Sequence, residues 1–139
     1  MVDFIQIVKD ILEEQGKSLQ NLFEDKVISE NTFYKYKQRY PSLKTLIKII
    51  NYLGVSMDYL FELADENKFS PYVYSSETFY NNLHTFLEHK NISGRKFCND
   101  LHYSRDNLTR WKKGTMPSVQ ILLEIAKYFN CTLDDLIKE

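Results

Sequence analysis

The same pattern is written twice along the chain. Shifting the N-terminal half by 75 residues lays Phe4 on Phe79, Val8 on Leu83, Leu12 on Leu87, Leu22 on Phe97, Phe33 on Leu108 and Tyr36 on Trp111. Beyond residue 40 the shift becomes 76, and Pro41 meets Pro117, Leu46 meets Leu122, Ile49 meets Ile125, Tyr52 meets Tyr128 and Leu60 meets Leu136. A repeat of this length requires one small fold made twice, since matched apolar positions imply matched cores.

The punctuation repeats with the core. Ser18, Ser29, Ser42 and Ser56 align with Ser93, Ser104, Ser118 and Thr132. A hydroxyl just before a helix accepts one of the unsatisfied N–H groups of its first turn, so these are candidate N-caps. Gly16 aligns with Asn91, and Gly54 with Asn130. Gly and Asn best tolerate the left-handed conformation that ends helices. Each copy therefore predicts five short helices. They run over about 3–15, 18–26, 29–38, 42–53 and 56–63, then about 76–90, 93–101, 104–113, 118–129 and 132–137, with ends uncertain by roughly 2–4 residues. No strand is expected, so the fold class is all-α.

Ser93 to Lys113 carries the most information. Phe97, Cys98 and Leu101 give its first helix an apolar face, and Leu108 with Trp111 does the same for the second. Only His102 and Tyr103 separate the first helix from Ser104, too few residues for antiparallel packing, so the helices must cross steeply as a helix-turn-helix. Left outside the core are Arg105, Asp106, Asn107, Thr109, Arg110, Lys112 and Lys113, side chains able to meet base edges and phosphates. Ser104 opens that helix. Trp111 and Tyr36 align at a core spacing and read as anchors. Tyr34, Tyr40, Tyr72 and Tyr74 are an aromatic surplus of the kind that marks a protein interface when exposed.

Composition narrows the alternatives. The formal net charge is −1, so no basic excess announces a nucleic-acid partner. The balance is uneven, however: residues 1–65 hold 8 Lys and Arg against 10 Asp and Glu, and residues 78–139 hold 9 against 7. Cys98 and Cys131 fit no metal spacing, and His84, His89 and His102 do not pair at i, i+4. Neither a metal site nor a cofactor motif is expected. With 4 glycines spread through the chain there is no phosphate loop, and no nucleophile on a strained turn stands out, so an enzyme is not expected. His84 and Glu88 read as a surface pair. No apolar run reaches membrane-span length and no secretory leader is seen, so a cytoplasmic protein without membrane contact is expected.

The second copy resembles the Cro and phage-repressor type of helix-turn-helix domain, often called XRE-like. The resemblance is carried by Ile92-Ser93, Phe97-Cys98, Leu101, Ser104-Arg105, Leu108, Arg110-Trp111, Gly114, Pro117-Ser118 and Leu133-Asp134-Asp135-Leu136. Cys98 stands where the family usually has Ala, His102 at the usual turn Gly, and Gly94 at a Gln that often opens the first helix, with Arg95 and Lys96 as substitute phosphate ligands. The first copy departs further. Phe23 occupies the small-residue position, Lys26 the usual Leu and Val27 the usual Gly, and nothing corresponds to Gly114. A ring there should push the helices apart, and β-branched Val27 suits a left-handed turn poorly. Its reading helix offers Glu30, Asn31, Thr32, Tyr34 and Lys35.

The resemblance implies two tandem five-helix, lambda-repressor-like helix-turn-helix domains. The divergent one covers 1–66, an aromatic linker 67–76, and the DNA-binding one 77–139. The implied function is a sequence-specific, repressor-like transcriptional regulator with double-stranded DNA as its partner. Arg95, Lys96, Ser104, Arg105, Asp106, Asn107, Thr109, Arg110, Lys112 and Lys113 are its contact residues, Arg105 as a bidentate guanine ligand. Family members usually dimerise on paired half-sites; here either the tandem copy acts as a built-in second half or the chain also forms a homodimer through either copy. The alternative is an interaction module, such as a mobile-element antirepressor, that keeps the fold without reading DNA and binds a protein partner through its first domain.

Overall fold

The computed structural model describes residues 3–139, and all regular structure among them is helical. The chain divides into two compact units, the first ending at Tyr72 and the second spanning Val73–Glu139. The division falls inside the stretch read as a linker.

In the first unit α1 is Phe4–Glu14, α2 Leu19–Glu24, α3 Glu30–Phe33, α4 Leu43–Leu53 and α5 Met57–Leu60, with a 3₁₀ turn over Tyr34–Lys37. The second unit holds α6 Ser76–His89, α7 Gly94–Leu101, α8 Asp106–Lys112, α9 Val119–Phe129 and α10 Leu133–Ile137. Six of the eight matched hydroxyls cap as their spacing predicts, among them Ser29 and Ser56, whereas Ser18 makes no side-chain cap bond and Ser104 lies one residue before the cap of its helix. Ser42 Oγ accepts from Thr45 N, Ser93 Oγ from Lys96 N, Ser118 Oγ from Ile121 N, and Thr132 Oγ1 from Asp135 N. The four matched stop positions are left-handed: Gly16 has φ +70° and Asn91 +53°, Gly54 +67° and Asn130 +52°.

Each core is built around one aromatic pair that the repeat places in both copies. Phe4 meets Tyr36 edge-on at 6.0 Å between ring centres, and Phe79 meets Trp111 at 5.5 Å. Phe4 and Phe79 are fully buried. These pairs fix the first helix of each unit against its third element. Fully burying such a ring is worth roughly 1.5–3 kcal/mol, and edge-to-face pairing adds about 0.5–1.5 kcal/mol. The second unit extends its cluster through Phe97, which stacks on Phe129 at 5.8 Å.

A second tie is also duplicated. Tyr128 donates its hydroxyl to Asp100 Oδ2 at 2.6 Å, joining α9 to α7, and Tyr52 donates likewise to Asp25, joining α4 to the end of α2.

The aromatic connection is docked on the first unit. Tyr72 is 5% exposed, and its hydroxyl accepts from Met57 N at 2.8 Å. Its backbone is held from both sides by Asn51, whose Nδ2 donates to Tyr72 O and whose Oδ1 accepts from Tyr72 N. Asn67 does the same for the α4–α5 turn, donating to Gly54 O and accepting from Ser56 N. Tyr72 is therefore core, not interface. Tyr40 packs edge-on against Phe61 at 5.5 Å. Tyr34 and Tyr74 remain exposed.

Two helices differ from expectation. The stretch 29–38 is not one helix. Its α-helical part lasts a single turn, then tightens to 3₁₀, and Tyr36 leaves helical geometry at φ −88°, ψ +24°. Helix α8 begins at Asp106, because Arg105 occupies the capping position and Ser104 Oγ accepts from Asp106 N at 3.3 Å.

The only tryptophan, Trp111, lies in the second unit and reports on it alone. Phe79→Ala removes its edge-on partner and should lower that unit's unfolding free energy by about 3–5 kcal/mol. Urea titration followed by tryptophan fluorescence measures this, and a loss under 1 kcal/mol (~1, within ordinary surface-mutation scatter) would contradict the role given to the pair.

Candidate nucleic-acid interface

The α7–α8 pair is set by a left-handed turn and by a small contact between the helices. His102 takes φ +60°, and Tyr103 N donates to Cys98 O at 2.8 Å to close the end of α7. Cys98, on α7, is fully buried. Burial pushes that thiol's pKa up, and the charge of Arg105 opposes the shift. At Gly94 an added Cβ would lie 2.9 Å from Leu108 Cδ1, so the glycine lets α7 and α8 approach here. The open groove between them, of about 540 Å³, is lined by Ser93, Gly94, Arg95, Arg105, Asp106, Leu108 and Thr109.

Tyr103 adds a brace from the turn to α9. Its hydroxyl donates to Glu124 Oε1 at 2.5 Å, and its ring meets both Phe97 and Trp111 edge-on. Burial, then the Glu124 carboxylate, push its pKa up, which keeps the phenol a neutral donor. The aligned residues in the first copy are Ile28 and Lys48, which cannot make this bond. Sequence reasoning missed this brace, although a tyrosine where the other copy has isoleucine, opposite a glutamate where it has lysine, was a readable signal.

Trp111 turns inward, Leu108 is half-buried beside Gly94, and the polar side chains of α8 turn out. Arg95, Lys96, Ser104, Arg105, Asp106, Thr109, Arg110, Lys112 and Lys113 are exposed, and Asn107 is half-buried. Two of the cations are engaged with neighbours. Arg110 donates to Asn107 Oδ1 one turn back, and Lys96 pairs with Asp100 at 3.1 Å. Asn107 thus holds Arg110, and Lys96 must leave Asp100 to reach a phosphate. His84 and Glu88 pair at 2.9 Å on the exposed side of α6. Among the described residues no cluster of His, Cys, Asp and Glu is grouped to hold a metal ion, and no helix is long and apolar enough to cross a membrane.

The first copy builds its equivalent face differently. The left-handed residue is Lys26 at φ +58°, one position earlier than the counterpart of His102. Val27 thereby avoids the conformation its branched side chain resists. Helix α2 ends correspondingly early, at Glu24. Phe23 lies against Phe33 at 5.8 Å and Tyr34 at 6.2 Å. The result is one helical turn, not two, after the crossing.

Two helices joined by a short left-handed turn, the second carrying exposed cations, within a five-helix unit, fit a helix-turn-helix domain. A family model described as the Cro/C1-type HTH DNA-binding domain matches residues 8–66 and again residues 82–138. The chain belongs to that family, in two tandem copies, and is a DNA-binding regulator in that general sense. Comparison with curated proteins and with solved structures found no match.

The Asp100 carboxyl is held below its ordinary 3.8, first by the Tyr128 hydroxyl and then by Lys96. A depressed carboxyl pKa contributes stability that is present above the ordinary value and lost as pH falls through the folded one. Asp100→Asn should therefore be less stable than the parent at pH 6, and the gap should be narrower at pH 3 (about one unit below the unfolded carboxyl). Urea midpoints read from Trp111 at both pH values test it. A gap unchanged by acid would separate Asp100 from the acid limb.

Proposed function

We propose that this chain is a sequence-specific, double-stranded DNA-binding transcriptional regulator of the repressor type, acting in the cytoplasm, with α8 in the major groove. The observation that supports this most is the outward row of Arg105, Thr109, Arg110, Lys112 and Lys113 beside the Ser93–Arg95 end of α7. Arg105 stands at the start of α8, where the first residues of a recognition helix meet base edges, and is assigned bidentate contact with guanine. Thr109 and Asp106 face the same groove. Arg110, steadied by Asn107, joins Lys112, Lys113, Arg95 and Lys96 in holding phosphates, and Ser104 fixes the turn before Arg105. Pairing of two chains on paired half-sites follows from this mode of binding.

A second reading, an interaction module that has kept the fold and given up DNA, draws on the broken third helix of the first copy and the net charge of −1. Selection from a random duplex pool, followed by titration of the selected duplex at several salt concentrations, separates the two. A reader of DNA loses affinity linearly in log salt. Arg105→Ala should then lower discrimination at one base position by about 1–3 kcal/mol and leave binding to random duplex nearly unchanged. Absence of duplex binding at low salt would favour the interaction module.

A further inference from the structure

The first unit carries a charge segregation that its total conceals. Residues 31–57 contain five Lys or Arg and no Asp or Glu, while all the acidic residues up to Tyr72 lie outside that window. The five are Lys35, Lys37, Arg39, Lys44 and Lys48. All are exposed, and none forms an ion pair among the described residues. They follow α3 through the 3₁₀ turn and the loop into α4, where Lys44 and Lys48 stand one turn apart on the exposed side.

The short helix that leads into this window, α3, is a single turn, Glu30–Phe33. Glu30 aligns with Arg105, putting a carboxylate where the second copy offers a guanine ligand. Tyr34 aligns with Thr109, and its ring is drawn toward Phe23 and Phe33 at 6.2 and 5.8 Å. The cations persist nonetheless: Lys35 aligns with Arg110 and Lys37 with Lys112. Two more appear on α4, since Lys44 and Lys48 stand where the second copy has Gln120 and Glu124. Glu124 is committed to Tyr103 there. With isoleucine in place of that tyrosine, the first copy has no such brace, and the position carries a cation instead.

We infer that the first unit binds the phosphate backbone of duplex DNA through Lys35, Lys37, Arg39, Lys44 and Lys48 without reading its sequence. It supplies affinity to a chain whose specificity comes from α8. This rests on the reading of the chain as a DNA binder. Five exposed cations held in no ion pair among the described residues give affinity by releasing counterions from phosphates, a term blind to base identity.

The test uses the full chain and two charge-matched triple variants, each checked for native circular dichroism. One is Lys37→Gln, Arg39→Gln and Lys44→Gln. The control, Lys9→Gln, Lys17→Gln and Lys68→Gln, removes the same charge outside the window. Binding is measured by fluorescence anisotropy on a random-sequence duplex of roughly 30 base pairs, about three helical turns, and on a selected duplex, across a salt series. The window variant should flatten the slope of log affinity against log salt by about 2–3, near 0.9 per lost contact, on both duplexes. Its preference for the selected over the random duplex should stay as in the parent. The control should keep the parent slope. An unmoved slope in the window variant, or an equal loss in the control, overturns the inference while leaving α8 as reader. A loss of base preference in the window variant overturns it too, by making the first unit a reader. Should polyglutamate bind the window while the duplex slope is unmoved, the array serves an acidic protein and the inference falls. If the parent binds no duplex at any salt, the underlying reading fails with it.

Discussion

The geometry of both units depends on one edge-to-face contact between aromatic rings, Phe4 on Tyr36 and Phe79 on Trp111. The contact joins the first helix of a unit to its third element, so it decides which side of that element is core and which faces out. In α8, with Trp111 committed inward, the remaining spacing leaves Asp106, Thr109, Arg110 and Lys112 outside by helical periodicity. The outward charge of α8 is in this sense a by-product of where the rings are buried.

From that common frame the copies diverge at the crossing. In the second copy α7 ends at a left-handed histidine, Gly94 lies against Leu108, and α8 runs on as one helix. In the other copy, phenylalanine and valine at the positions of Cys98 and His102 shift the left-handed residue back to Lys26 and end α2 early. The helix beyond the crossing there stops after one turn and continues as 3₁₀. The braces differ as well. Tyr103–Glu124 joins turn to α9 in one unit only, whereas the tyrosine–aspartate tie recurs in both.

What could be read from the sequence was whatever is local or periodic. The capping hydroxyls, the Gly and Asn stops and the apolar spacing gave ten helices in order and both cores, because each depends on residues within a turn or two of itself. The missed features depend on partners distant in sequence. Nothing near Tyr36 predicts its non-helical ψ, since its neighbours are ordinary helix residues; the burial of its ring against Phe4 is a tertiary event. The docking of 67–72 by Asn51 and Asn67 escaped because an asparagine on a helix looks like any surface amide until the returning chain is seen. At the candidate site, the exposed set was legible from helix periodicity, but the retention of Lys96 by Asp100 and of Arg110 by Asn107 was not weighed, although both are spaced at one turn. Ser104 was placed one residue too close to its helix, for two adjacent residues can each serve as the first before a turn.

The Tyr103 brace has a consequence for how such a protein changes over time. The turn that leads into α8 is tied by Tyr103 to a carboxylate on α9, a side chain not assigned to DNA. If α8 reads DNA as proposed, a site that touches no nucleotide shares control of which operator is preferred, and that preference can change through a scaffold substitution while the proposed contact residues stay the same.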